Sequence, residues 1–329
     1  MKNLPNPYIS RLELFVDNSL QVREAFKWQN ASVNRLAALL YAVENKRVNV
    51  DAIRTYHEMI KNNTRGFSAF RGISAICIAA LLSLSAEPEQ QFANTLAVYD
   101  LMKERSFKSS DYLVIAAYQI AAHTPSAQYA TVIDRTLAFY EGMKEKHRFL
   151  TGRDDYIFAA MLGLSGLPVE QGVEQMEQLY VALKPEFSSG NNVQALTQVL
   201  VLGGDNLRTP EQVLRLRDAF RAQNIRLDKG YTLPSLGILA LLPYQESELV
   251  RSVSETYEYL RPQKGFGGWS INKQELLLLS AALVSYQYVD DVKNGLIQST
   301  LSTSITNLVI AQQTAIAGAA AAAAAAGSS

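Results

Sequence analysis

A chain of 329 residues with 48% hydrophobic and 19% charged residues has the length for one large domain or two ordinary ones, and the composition of a folded rather than a disordered protein. Lys plus Arg and Asp plus Glu both total 31, and no sustained basic run occurs, which argues against a dedicated nucleic-acid binder. A lone cysteine, Cys77, excludes an internal disulfide, and with only His57, His123 and His147 beside it no zinc-ligand spacing can be built.

From the amino end, MKNLPNPYIS has no apolar segment behind its charges, so no secretory signal is expected, and a reducing cytoplasmic setting fits the cysteine count. Strand signals are poor, with few alternating β-branched runs. Helical periodicity runs along most of the chain instead. Seven apolar runs follow one another: VNRLAALLYAV, ISAICIAALLSL, DYLVIAAYQIA, DYIFAAMLGLS, VQALTQVLVLG, LPSLGILALL and KQELLLLSAALV. Apolar on nearly every side, they predict buried helices; Cys77 sits in the second as a small hydrophobe. The segments between them are amphipathic. From Tyr129, the residues Tyr129, Val132, Ile133, Leu137, Tyr140 and Met143 recur at threes and fours.

A large apolar residue precedes each apolar run: Trp28, Phe67, Phe107, Phe149, Phe187, Ile225 and Phe266, at gaps of 39, 40, 42, 38, 38 and 41. Breakers stand between the units at AEP 86–88, HTP 123–125, GLP 166–168 and RTP 208–210. A period of about 40 residues is that of paired-helix arrays. The expected fold is all-α: a curved array of about seven helical hairpins, an α/α toroid or a superhelical solenoid, as one domain over 1–304. Residues 305–329 form an uncharged, Ala-rich tail expected to continue a docked helix. A bilayer span would need about twenty strongly apolar residues, and none is expected.

The richest polar stretch is KHRFLTGRDDYIFAAM, 146–161. It reads first as a helix boundary: Lys144, Lys146 and His147 suit the carbonyl end of one helix, and Thr151 with Asp154 three residues on resembles a capping box for the next. Ser109, Ser110 and Asp111, and Asn191 and Asn192, occupy the same place in neighbouring units. If the array curves, these turns share a rim carrying Arg65, Arg71, Asp111, Arg153, Asp154, Asp155, Asn191, Asn192, Gln194, Lys229, Trp269, Asn272 and Lys273. Convergent polar groups beside an apolar wall are the usual appearance of a binding site. Arg153, Asn191, Asn192, Gln194 and Trp269 are the candidate ligand-binding residues; Asp154 and Asp155 are candidates for an acid and a base. QKGFGGW at 263–269 resembles the repeat motif of terpene-cyclase α/α barrels, but in one copy and without their Asp-rich acid motif, so it reads as a Gly-rich turn with an aromatic anchor. No nucleotide loop or Gly-x-Ser-x-Gly elbow is present.

MKEKHRFLTGRDDYIFAAML (143–162), GNNVQALTQVLVL (190–202) and LGILALLP (236–243) together resemble a bacterial all-helical family catalogued as a domain of unknown function, the four-thousand-and-third in its series. The resemblance implies a bacterial, cytoplasmic, all-α protein and supplies no catalytic residues. The residues favour an interaction or ligand-binding protein whose partner is a protein or a small molecule, with no cofactor, metal, nucleic acid or membrane expected. The alternative is a hydrolase or lyase acting on a sugar-like or polyanionic substrate through Asp154 or Asp155, with Arg153 binding anionic groups.

Overall fold

A computed structural model describes residues 6–203 and 209–293. Fourteen α-helices and no strand occur among the described residues, and contacts divide them into two bodies, 17–169 and 6–16 with 170–293. The Ala-rich tail from 305 lies outside the described residues.

The first body takes the carboxyl-terminal part of α1 (Asn6–Ala25), then α2 (Ala31–Val43), α3 (Val50–Asn62), α4 (Ala75–Leu84), α5 (Pro88–Glu104), α6 (Asp111–His123), α7 (Tyr129–Lys146) and α8 (Tyr156–Leu164). The even-numbered helices are the four predicted apolar runs. Each is buried along nearly its whole length, α8 from Tyr156 to Gly163 and α4 from Ala75 to Leu82. Amphipathic α3, α5 and α7 pack on α4, α6 and α8 as hairpins, while α2 packs on α4 and α6 on α8. Burying each Leu, Ile or Phe of this apolar layer contributes about 1.5–3 kcal/mol. The layer tolerates little added bulk: a Cβ on Gly163 of α8 would meet Thr136 of α7 at its Oγ1, its N and its Cα. Arg135, one residue before Thr136, caps α8 by donating to the carbonyls of Gly163, Ser165 and Leu167 at 3.0, 2.8 and 2.8 Å. The carbonyl end of α8 is thus satisfied by a side chain of its hairpin partner.

Cys77 lies on α4 with its side chain buried among that layer. In the native protein it is expected to react with a thiol reagent only as fast as the helix opens, and rapidly once urea has unfolded the chain. Native labelling as fast as that of the unfolded chain would place α4 at the surface.

The second body holds α9 (Val169–Leu183), α10 (Gly190–Val201), α11 (Pro210–Ala222), α12 (Leu233–Leu241), α13 (Glu246–Leu260) and α14 (Lys273–Lys293). Here α10, α12 and α14 are the remaining apolar runs; α12 packs on both others, α11 packs on α12, and α13 on α14. Residues 6–16 join this body: Tyr8 bonds Thr256 through its hydroxyl at 2.8 Å, and the rings of Phe15 and Phe266 lie 5.5 Å apart.

The turns correct three sequence readings. The residues preceding the apolar runs are not equivalent: Phe107, Phe187, Ile225 and Phe266 are buried, whereas Trp28, Phe67 and Phe149 are exposed. The aromatic anchor of the Gly-rich turn is Phe266; Trp269 is fully exposed. The cap before α8 sits one residue later than the Thr151–Asp154 pattern suggested, because the Gly152 N–H donates to Asp155 Oδ2 at 2.8 Å and a single 3-10 turn, Arg153–Asp155, then leads into the helix. Before α10 the cap is Ser189, which accepts from the N–H of Asn192, so Asn191 and Asn192 lie inside the first turn. At α6 the expectation holds, with Ser110 accepting from the N–H of Leu113.

Candidate functional site

Two of the apolar positions on α7, Leu137 and Tyr140, are not sealed into the core but half-buried. They face a cavity of about 660 Å³ in the first body, lined also by Phe107, Tyr156, Arg105, Ser106, Glu141, Lys144, Glu145 and Arg148. Its elements are fixed by the hairpin geometry. Helix α7 supplies one wall, the turn between α5 and α6 another, and the first residue of α8 the floor.

The floor is aromatic. Tyr156 stands edge-on to both Phe107 and Tyr140, with ring centroids 5.0 Å apart in each pair, and Phe107 lies 6.1 Å from Tyr140. Such tilted and edge-to-face contacts are favourable beyond the area they bury. The Tyr156 hydroxyl accepts from the backbone N–H of Lys108 at 3.2 Å, which fixes the ring against the α5–α6 turn. Burial, followed by the neighbouring Tyr156, Asp155 and Asp154, pushes the Tyr140 phenol up to about 12. At neutral pH it is therefore a neutral hydrogen-bonding group, not a phenolate.

The rim is charged with both signs. Arg105 is held by Asp134 through its Nε at 2.9 Å. Lys144 lies over the Tyr140 ring, its Nζ 5.7 Å from the centroid, and Arg148 is exposed just beyond the end of α7. Glu141 and Glu145 stand one turn apart on the same helix. An aromatic floor binds a ring by its face, cations bind an anionic group, and carboxylates accept from hydroxyls.

None of the seven residues singled out from sequence lines this cavity. Arg153, Asp154 and Asp155 belong to the first body; Asn191, Asn192, Gln194 and Trp269 belong to the second. Asp155 is buried and engaged with Gly152, and exposed Arg153 donates from Nη1 to the carbonyl of Ser109 at 3.4 Å. Gln194 is buried on α10. Asp111 ties two turns together, its Oδ1 accepting from the N–H and hydroxyl of Ser74 at 2.8 and 2.9 Å. Among the described residues no cluster of three His, Cys, Asp or Glu could hold a metal ion, and no helix is long and apolar enough to cross a membrane. One signal for the cavity was present in the sequence. Tyr140 and Leu137 share the apolar stripe of α7 with two lysines and two glutamates following closely, a mixture that a sealed helix face does not require.

Fold and cavity define a class: an all-helical protein built of hairpins, with an aromatic-floored cavity beside a helix-to-helix turn. The chain belongs to the family described as Protein of unknown function (DUF4003), whose model matches residues 18–314. It is similar to the Uncharacterized protein YeaA of Bacillus subtilis (strain 168), 23% identical over 308 residues that cover 91% of this chain and 90% of that protein. No solved structure matches it significantly.

Proposed function

We propose that this is a non-catalytic ligand-binding protein of the α/α hairpin-repeat class, with the period of about 40 residues read from its sequence, in the toroid or solenoid group. Its ligand is a small molecule that joins a ring to an anionic group, such as a sugar phosphate or a nucleoside monophosphate. The observation that carries this reading is the cavity of about 660 Å³ in which Phe107, Tyr140 and Tyr156 meet under Lys144 and Arg148. That volume falls within the range of small-molecule sites. The ring stacks on the aromatic floor, the anion meets Lys144 and Arg148, and Glu141 and Glu145 accept from sugar hydroxyls. The binding reading is preferred to acid–base catalysis because the buried carboxylate of Asp155 serves the start of α8.

Thermal unfolding in the presence of hexose phosphates and nucleoside monophosphates tests the proposal. At least one compound is expected to raise the melting temperature saturably; at a hundredfold excess over Kd such binding adds about 2.7 kcal/mol. Tyr140→Ala and Arg148→Glu should each abolish the shift while leaving the unliganded helix content unchanged. No shift from any compound of either class, or one that survives both substitutions, would overturn the assignment.

A further inference from the structure

We propose that one end of the first body is a docking surface for an anionic lipid bilayer, engaged from the side without any segment crossing it. The feature that needs explaining is the exposure of Trp28, Phe67 and Phe149. Trp28 is 89% exposed and the two phenylalanines are fully so. All three sit in turns that lead from an odd-numbered helix into an even-numbered one.

Those turns share one end of the body. Short connections make successive helices antiparallel, so α2, α4, α6 and α8 all start from the same side. Side-chain register supports this: Tyr41, near the end of α2, bonds Ser83, near the end of α4, at 2.6 Å. Hydrogen bonds also link neighbouring turns, from Ser74 to Asp111 and from Arg153 to the carbonyl of Ser109. Three aromatic side chains therefore project from separate turns at a common end. None of them lines the cavity of the candidate site, whose floor is made by other aromatic rings.

Charge indicates what they meet. Each aromatic has a cation one or two positions before it, in the pairs Lys27–Trp28, Arg65–Phe67 and Arg148–Phe149, and Lys108 and Arg153 are exposed in the same set of turns. Of the carboxylates there, Asp111 holds Ser74 and buried Asp155 caps α8, while Asp154 is half-buried between Arg153 and Asp155. At the opposite end the connections 44–49, 85–87, 124–128 and 165–168 balance Lys46 and Arg47 against Glu44 and Glu87 and carry no aromatic residue. Separate aromatic prongs, each beside a cation, suit the headgroup region of an anionic membrane. There the rings enter the acyl boundary while lysine and arginine stay with the phosphates. A protein partner would more simply be met by one contiguous, packed apolar patch.

The full chain carries two tryptophans, Trp28 and Trp269, so Trp269→Phe isolates the emission of Trp28. With vesicles of phosphatidylglycerol, that emission should shift to the blue and the protein should float with the vesicles. With phosphatidylcholine vesicles neither should occur, and added salt should weaken the anionic case. Replacing Trp28, Phe67 and Phe149 together by Ser should cut vesicle partitioning roughly tenfold or more, since peripheral affinity follows inserted apolar area and nearby charge. Because all three side chains are exposed, helix content and melting temperature should not change. Tyr140→Ala should bind vesicles as the parent does, which keeps this test separate from that of the cavity. An unshifted Trp28 emission on phosphatidylglycerol, equal uptake by neutral vesicles, or undiminished partitioning of the triple variant would each overturn the proposal. Capture of a protein in place of vesicles would do the same.

Discussion

Gly163→Val is expected to destabilise the protein by about 1–3 kcal/mol, the usual cost of forcing bulk into a packed core. The physical reason is the approach of α8 to α7. An added Cβ at Gly163 meets not only the hydroxyl of Thr136 but its backbone N at 3.0 Å and Cα at 3.1 Å, and backbone cannot rotate aside. Separating the helices would also pull the Gly163 carbonyl from Arg135. The effect should reach the cavity, because Tyr140 is on α7 and Tyr156 is on α8. A urea titration followed by circular dichroism measures the shift. Gly166→Val is the control, since a Cβ there meets nothing within 4 Å. If the two variants unfold at the same urea concentration, the close approach of α7 and α8 is wrong.

The second large effect is expected at Asp228, in the second body. Its carboxylate is only 3% exposed and accepts from Arg221 Nε at 2.7 Å and Arg226 Nε at 2.9 Å. Burial alone would raise its pKa, but the hydrogen bonds and charges of Arg226 and Arg221 outweigh it and hold the carboxyl below the ordinary 3.8. Both arginines remain partly exposed, so water recovers part of what Asp228→Asn removes. The expected loss at neutral pH is about 1–3 kcal/mol, in the range of hydrogen bonds to charged groups. The sign with pH follows from the direction of the shift. A depressed carboxyl pKa contributes stability that is present above the unfolded value and disappears as pH falls through the folded value. The gap between parent and variant should therefore be full near neutrality and narrow as the solution is made more acid than the ordinary carboxylate value. Urea midpoints measured at both conditions check it; a gap that is equal at the two would mean that the ion pairs contribute nothing.

The helices themselves were legible in the sequence. All seven apolar runs are helices, and α7 begins at Tyr129, where its periodic stripe begins. Cys77 is buried, as its apolar neighbours implied. These features depend on residues three and four apart along one segment, so local spacing is enough to determine them. The position of Ser110 as a cap is of the same kind, set by its own helix.

What only the tertiary structure decided involves residues from different segments. Phe107 and Phe149 occupy like places before an apolar helix, yet one is enclosed by Tyr140 and Tyr156 and the other is bare. Nothing in either local pattern distinguishes them, because burial is conferred by the neighbouring hairpin. The cavity joins the α5–α6 turn, α7 and the start of α8, so its aromatic floor has no continuous sequence signature. The polar stretch at 146–161 drew attention to Asp154 and Asp155 because they adjoin in sequence, whereas folding commits Asp155 to the backbone of Gly152. Helix periodicity reports which face of a segment is apolar; only packing against other segments determines whether that face is sealed, left as a cavity wall, or exposed to water.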